Sequence, residues 1–231
     1  MLPLKFTYLF GSSSFFIPWL LIFLKRKDLQ KLIIFNSLLF SVLGIIFEYF
    51  FWIKDWWQPY TITNTRVGIE DLILGFSNGG IAASLYFYIF NKKLITPNLI
   101  SKQRLNLLIG LIIASIIFFF ILVYIIRIFS FWATIIVSFV FYMVLALFNK
   151  TLIKTSIING ILLVILVVPI FLLMILVTPD FVEKTWILKN LLGIKFMGVP
   201  IEDYVFYFLC GMVCFLVYPF LFENVKLTKN Q

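Results

Sequence analysis

The sequence predicts an all-α integral membrane protein of seven transmembrane helices, arranged as two parallel three-helix repeats joined by a linking helix. Composition is the first observation behind this. Of 231 residues, 63% are hydrophobic and only 13% charged, with a mean hydropathy of +1.10, which leaves too little polar surface to clothe a soluble globule. The second is a series of seven apolar runs, each close to the ~20 residues that cross a bilayer: 7–24, 32–53, 67–90, 105–126, 131–148, 157–177 and 199–222. The third is a match of the chain with itself, in which acidic pairs recur at the start of the third and seventh runs.

Charge and cysteine content narrow the function classes. The formal charge of +9 comes from nineteen Lys and Arg residues lying almost entirely between the apolar runs. They form no basic domain, so membrane lipid is the expected partner and nucleic acid is not. There is no histidine, and the only cysteines, Cys210 and Cys214, are one helical turn apart inside the last run. No metal site, structural disulfide or cofactor is expected. Counted on alternate sides of the runs, seven basic residues fall on one side and twelve on the other. The positive-inside rule then puts the amino terminus outside a cell membrane and the carboxy terminus in the cytoplasm. Lys25-Arg26-Lys27 follows the first run in place of a small-residue cleavage site, so that run is read as a retained span.

In chain order, the first span contains Ser12-Ser13-Ser14 and Pro18 and is assigned no chemistry. In the second, Ser37, Ser41, Gly44 and Glu48 fall on one helical stripe that Trp52 and Asp55 continue. Such a stripe faces protein or a cavity; small-residue helix packing explains its serines and glycine, whereas Glu48 points to function. Trp56, Trp57 and Tyr60 in the following loop fit an interfacial aromatic belt. The third span begins at Val67-Gly68-Ile69-Glu70-Asp71 and carries Ser77, Asn78 and Ser84 on a polar face. A basic linker with Pro97 precedes a nearly featureless fourth span. The fifth and sixth spans are apolar apart from Ser138, Ser156, Asn159 and Pro169, after which come Asp180 and Trp186. The seventh begins at Gly198-Val199-Pro200-Ile201-Glu202-Asp203-Tyr204, with Asp203, Tyr207, Cys210 and Cys214 near one stripe and no lysine within the span, which argues against a retinal Schiff-base protein.

An offset of 132 residues pairs Val67 with Val199, Ile69 with Ile201, Glu70 with Glu202, Asp71 with Asp203, Phe76 with Phe208, Gly79 with Gly211, Tyr86 with Tyr218 and Phe90 with Phe222, and sets Glu48 on Asp180. The resulting division is a first three-helix repeat over 1–95, a linker and connecting helix over 96–130, and a second repeat over 131–231. An odd connecting span makes the two repeats run in the same direction, so all these acids are expected at one membrane depth, around one cavity. Carboxyl groups buried beside like charge keep a proton near neutral pH, and aromatic faces stabilise a carbocation. That inventory suits acid/base work on an apolar substrate.

Pro200-Ile201-Glu202-Asp203-Tyr204-Val205-Phe206-Tyr207-Phe208, preceded by Asp180 and Trp186, together with the doubled three-span unit, resembles the membrane-integral lycopene cyclases, here in a fused two-repeat form. That family's signature is Pro-(Ile/Leu)-Glu-(Glu/Asp) followed by aromatics in each half. The second half fits it; in the first, Gly68 replaces the proline and the aromatics reduce to Phe76. The resemblance implies non-redox cyclisation of the ends of lycopene. It implies proton donation or cation stabilisation by Glu70 and Glu202, with Asp71, Asp203, Glu48 and Asp180 as base or tuning partners. Trp52, Trp56, Trp186, Phe76, Tyr204 and Phe208 would contact the carotenoid. On this reading Glu202→Gln abolishes cyclisation. A non-enzymatic binder or transporter of a small hydrophobic molecule and a structural membrane subunit are the alternatives, and homo-oligomerisation is left open.

Overall fold

The computed structural model describes residues 2–97, 99–223 and 225–229. Among these, seven helices are long and apolar enough to cross a membrane, as befits a multi-pass membrane protein. They are α1 (Leu4–Lys25), α2 (Gln30–Phe47), α3 (Ile69–Ile89), α4 (Lys102–Phe120), α5 (Ser130–Phe148), α6 (Ile153–Val177) and α7 (Ile201–Phe220). α2 continues through a wide π-type turn, Glu48–Trp52, into Ile53–Asp55, and α4 through a similar turn, Ile121–Ile125. Such turns are rare and often lie at functional positions.

The helices follow the apolar runs, with the differences at polar first turns. α6 begins before its apolar run, and in its first turn the Thr155 and Ser156 hydroxyls donate to the carbonyls of Leu152 and Ile153 at 2.8 and 2.7 Å. α5 begins at Ser130, whose N–H donates to Asp55 Oδ2 at 2.9 Å; its hydroxyl donates to the other oxygen of the same carboxyl. Asp55 therefore satisfies the exposed end of a different helix.

Packing is organised around two helices. α3 lies on α1 and α2, α7 lies on α5 and α6, and α3 and α7 meet at the centre. In each set the third helix is closely approached by the second. A Cβ at Gly79 would stand 2.6 Å from the Asn36 carbonyl oxygen of α2, and one at Gly211 2.8 Å from Gly160 Cα of α6. The paired glycines thus let the third helix of each set close on the second. At the α3–α7 contact, Asn78 Nδ2 donates to Cys210 Sγ at 3.4 Å. These two positions are 132 residues apart in the chain. Exposure sorts the helices accordingly: 78% of the apolar stretch of α7 is buried within the protein and 17% of that of α4.

Two short antiparallel pairings complete the fold. β1 (Lys92–Ile95) pairs with β4 (Lys226–Lys229), joining the segments that follow α3 and α7. β2 (Lys195–Phe196) pairs with β3 (Val199–Pro200) through Met197 and Gly198, both at positive φ, as a two-residue hairpin turn requires. Buried Arg26 closes the opposite end of α3 by donating to the Phe87 carbonyl at 2.5 Å, and is itself held by Asp28 at 2.8–2.9 Å.

Asn159 is the polar centre of the bundle. Its Nδ2 donates to the carbonyls of Ala82 (2.6 Å) and Gly211 (2.7 Å), and its Oδ1 accepts from the N–H of Tyr86 at 2.9 Å. Ala82 and Tyr86 are one turn apart on α3, so the amide of α6 inserts into the ladder of α3 and reaches α7 as well. Asn159→Leu leaves these groups unpaired at roughly 1–3 kcal/mol each. The expected outcome is a clearly lowered thermal midpoint of the detergent-solubilised protein; an unchanged midpoint would remove this role.

Candidate active site

A cavity of about 240 Å³ lies between the two helix sets, bounded by α1–α7 and the loops that precede α3 and α7. Its walls are mainly apolar, with Phe15, Leu74, Phe119, Phe171, Met174 and Phe206 among them. Three carboxyl groups face it: Glu48, Asp71 and Asp203, each under 6% exposed.

Each acid is held by a different device. Asp71 occupies the first turn of α3 and reaches back to the N–H of Gly68, the residue preceding the helix, at 2.6 Å; this satisfies a donor that a helix start leaves open. Its other oxygen accepts a hydrogen bond from the hydroxyl of Tyr8 on α1. Glu48, the first residue of the π-type turn that continues α2, is buried on the same cavity as Asp71. Asp203 occupies the same position on α7, but the residue preceding that helix is Pro200, which has no N–H to offer. Its Oδ2 instead accepts from the indole Nε1 of Trp186 at 2.8 Å. The replacement of proline by glycine in the first half therefore has a direct consequence: Asp71 is tied to its own helix start, and Asp203 to a loop tryptophan.

Aromatic side chains fix the rest of the wall. Trp52 Nε1 donates to Thr134 Oγ1 at 3.0 Å, Trp56 lies edge-on to Phe131 and Phe206, and Tyr207 stacks on Phe15 with ring centres 5.9 Å apart. Trp57 touches both Tyr8 and Trp186, at 5.3 and 5.5 Å. The loops bearing these tryptophans are joined by main-chain bonds from Gln58 N to Thr185 O (2.6 Å) and from Ile187 N to Trp56 O (2.8 Å), and by Asn190 Nδ2 to Asp55 O (2.7 Å).

Of the acids singled out by sequence, the structure brings Glu48, Asp71 and Asp203 together on the cavity. Glu70 and Glu202 are buried behind it: Glu70 accepts from Ile62 N at 2.5 Å, and Glu202 from Leu192 N. Asp180 does not share the position of Glu48. α6 ends at Val177, so Asp180 lies beyond it in an exposed turn, ion-paired to Lys184, whose ammonium holds the carboxyl below its ordinary range. Of the expected substrate contacts, Trp52, Trp56 and Trp186 line the cavity. Phe76 packs against Trp19 at 5.0 Å, Tyr204 donates to the Phe196 carbonyl at 3.2 Å, and Phe208 lies with Tyr204 on a shallow outer groove between α6 and α7. Sequence reasoning passed over Tyr8, Ser12 and Phe15, which line the cavity from α1. Their i, i+4, i+7 spacing was the available signal. Trp57, read as a belt residue, also belongs to the wall.

The fold and site define a multi-pass α-helical protein with an apolar, carboxyl-lined internal cavity. Residues 127–221 match the lycopene cyclase family, so the second half of the chain carries a lycopene cyclase domain. That segment opens just ahead of α5 and closes just after α7, taking in the second helix set and none of the first. No curated protein and no solved structure matches the chain.

The exposed place of Asp180 makes a simple prediction. Asp180→Asn should leave the thermal midpoint at neutral pH unchanged, because an exposed ion pair contributes little, whereas Asp71→Ala should lower it by stripping Gly68 N–H and Tyr8 of their acceptor. Paired thermal melts of the two variants check this.

Proposed function

We propose that this protein is a carotenoid end-group cyclase that closes rings on lycopene or a related linear carotenoid without net redox, an intramolecular lyase or isomerase reaction. The observation that carries the reading is a single apolar cavity faced by carboxyl groups from both helix sets, in a chain with a lycopene cyclase domain. Its volume lies below the ~300–1,000 Å³ of sites that enclose a whole drug-sized ligand. It therefore suits one end of a long polyene, the remainder lying along the bundle or in lipid.

The chemistry follows from the arrangement. Two adjoining carboxyl groups in an apolar surround share a proton, so Glu48 and Asp71, with Tyr8 donating to Asp71, form the acid. The proton adds to the terminal double bond, and the new C–H bond leaves a tertiary cation. The electron pair of an internal double bond attacks that centre, closing the ring and moving the charge onto it. Asp203 takes a ring proton, and the C–H electrons restore a double bond. Substrate and product are isomers, and exchange with solvent returns the proton to the acid pair. Trp52, Trp57, Phe206 and Tyr207 offer the cation aromatic faces at ~0.5–2 kcal/mol each, and the Trp186 N–H orients Asp203. The division of Lys and Arg supports the acid-bearing end facing outside the cell membrane, with the carboxy terminus in the cytoplasm.

Expression in a lycopene-accumulating host should convert the pigment to cyclic carotenoids, resolved by chromatography. Glu48→Gln and Asp203→Asn should each lower turnover by about 10²-fold or more, the range of general acid/base catalysis. Trp186→Phe, which removes only the orienting N–H, should give a smaller loss. Unchanged lycopene with well-folded wild-type protein would sink the reading, and copurification of an unaltered apolar ligand would turn it toward a binder or transporter.

A further inference from the structure

Both acidic pairs sit at the starts of central helices, and in both the members part company. Adjacent residues on an α-helix point ~100° apart, so one first turn cannot aim both carboxyl groups at one cavity. Asp71 and Asp203 face the cavity; Glu70 and Glu202 face the loops that precede their helices. Glu70 Oε1 accepts the N–H of Ile62, eight residues upstream, and Glu202 Oε1 that of Leu192, ten residues upstream. The remaining oxygen of each is buried with no hydrogen-bond partner among the described residues. Neither glutamate forms an ion pair there. These are acceptors used once, by a backbone donor.

The tethered loops bear on the chemistry. One continues from Trp56 and Trp57, the other from Trp186, and the two are bonded to each other at Gln58–Thr185 and Ile187–Trp56. Trp186 in turn holds Asp203. A loop released at Leu192 frees the segment that positions Trp186; one released at Ile62 loosens the segment downstream of Trp57.

We propose that Glu70 and Glu202 are positioning residues that latch the two outer loops across the acid-lined cavity, while Asp71 and Asp203 alone of each pair meet the substrate. The inference rests on the cyclase reading for its activity readout, but the latch itself is tested separately. A glutamine amide oxygen accepts the same N–H, so the proposal separates Gln from Ala at these positions. A proton-donating glutamate would lose function in both.

The experiment compares Glu202→Gln, Glu202→Ala and the corresponding Glu70 variants in the full chain, measuring lycopene conversion and amide hydrogen exchange over 187–196 and 59–66. The expected result is conversion within about threefold of wild type for the Gln variants. The Ala variants should lose about tenfold or more, with exchange accelerated in the tethered loop. A Gln variant as inactive as Ala while its loop stays protected overturns the proposal, as does an Ala variant whose loop exchange is unchanged. Should wild-type protein convert no lycopene, the cyclase reading falls and the exchange pattern still decides the latch.

Discussion

Two neighbouring side chains on a helix cannot look the same way, and a helix start leaves donors that something must satisfy. These constraints act together at the first turns of α3 and α7. Asp71 turns inward and also closes its own helix start through Gly68; Asp203, behind a proline, turns inward without that bond and is held by Trp186. The glutamates, rotated away, secure the loops. One acidic dipeptide thus supplies a cavity-facing group and a structural tie, twice, and a single Gly/Pro difference makes the two copies unequal.

That inequality suits acid/base chemistry. A reaction that adds a proton in one place and removes one in another needs two different carboxyl environments. The first helix set supplies a crowded one, with Glu48 and Tyr8 around Asp71; the second supplies an isolated carboxyl with one indole donor. Glu48, at the start of the π-type turn that continues α2, lines the cavity, whereas α6 ends before Asp180. Local helix geometry makes the two sets unequal.

Polar atoms inside an apolar bundle have no water to fall back on, so the few present carry unusual weight. Asn159 ties three helices through one amide, and Arg26 seals the end of α3 against the loop below. Both act on main-chain groups.

The sequence by itself determined the seven helices and their approximate limits, because hydrocarbon imposes a length and a composition that are legible residue by residue. It also marked Asp71, Asp203 and Glu48 as members of a site, since acids within apolar runs are conspicuous. Which acid of each pair faces inward was a matter of helix rotation, fixed only when α3 packed on α7. Tyr8 and Trp57 joined the cavity for the same reason: nothing local distinguishes a tyrosine or tryptophan that lines a cavity from one at a membrane interface. The fate of Asp180 was decided by where α6 stops, a property of its surroundings. Composition and periodicity are local and were read directly; orientation, and hence the division of labour among the acids, depends on contacts between residues far apart in the chain.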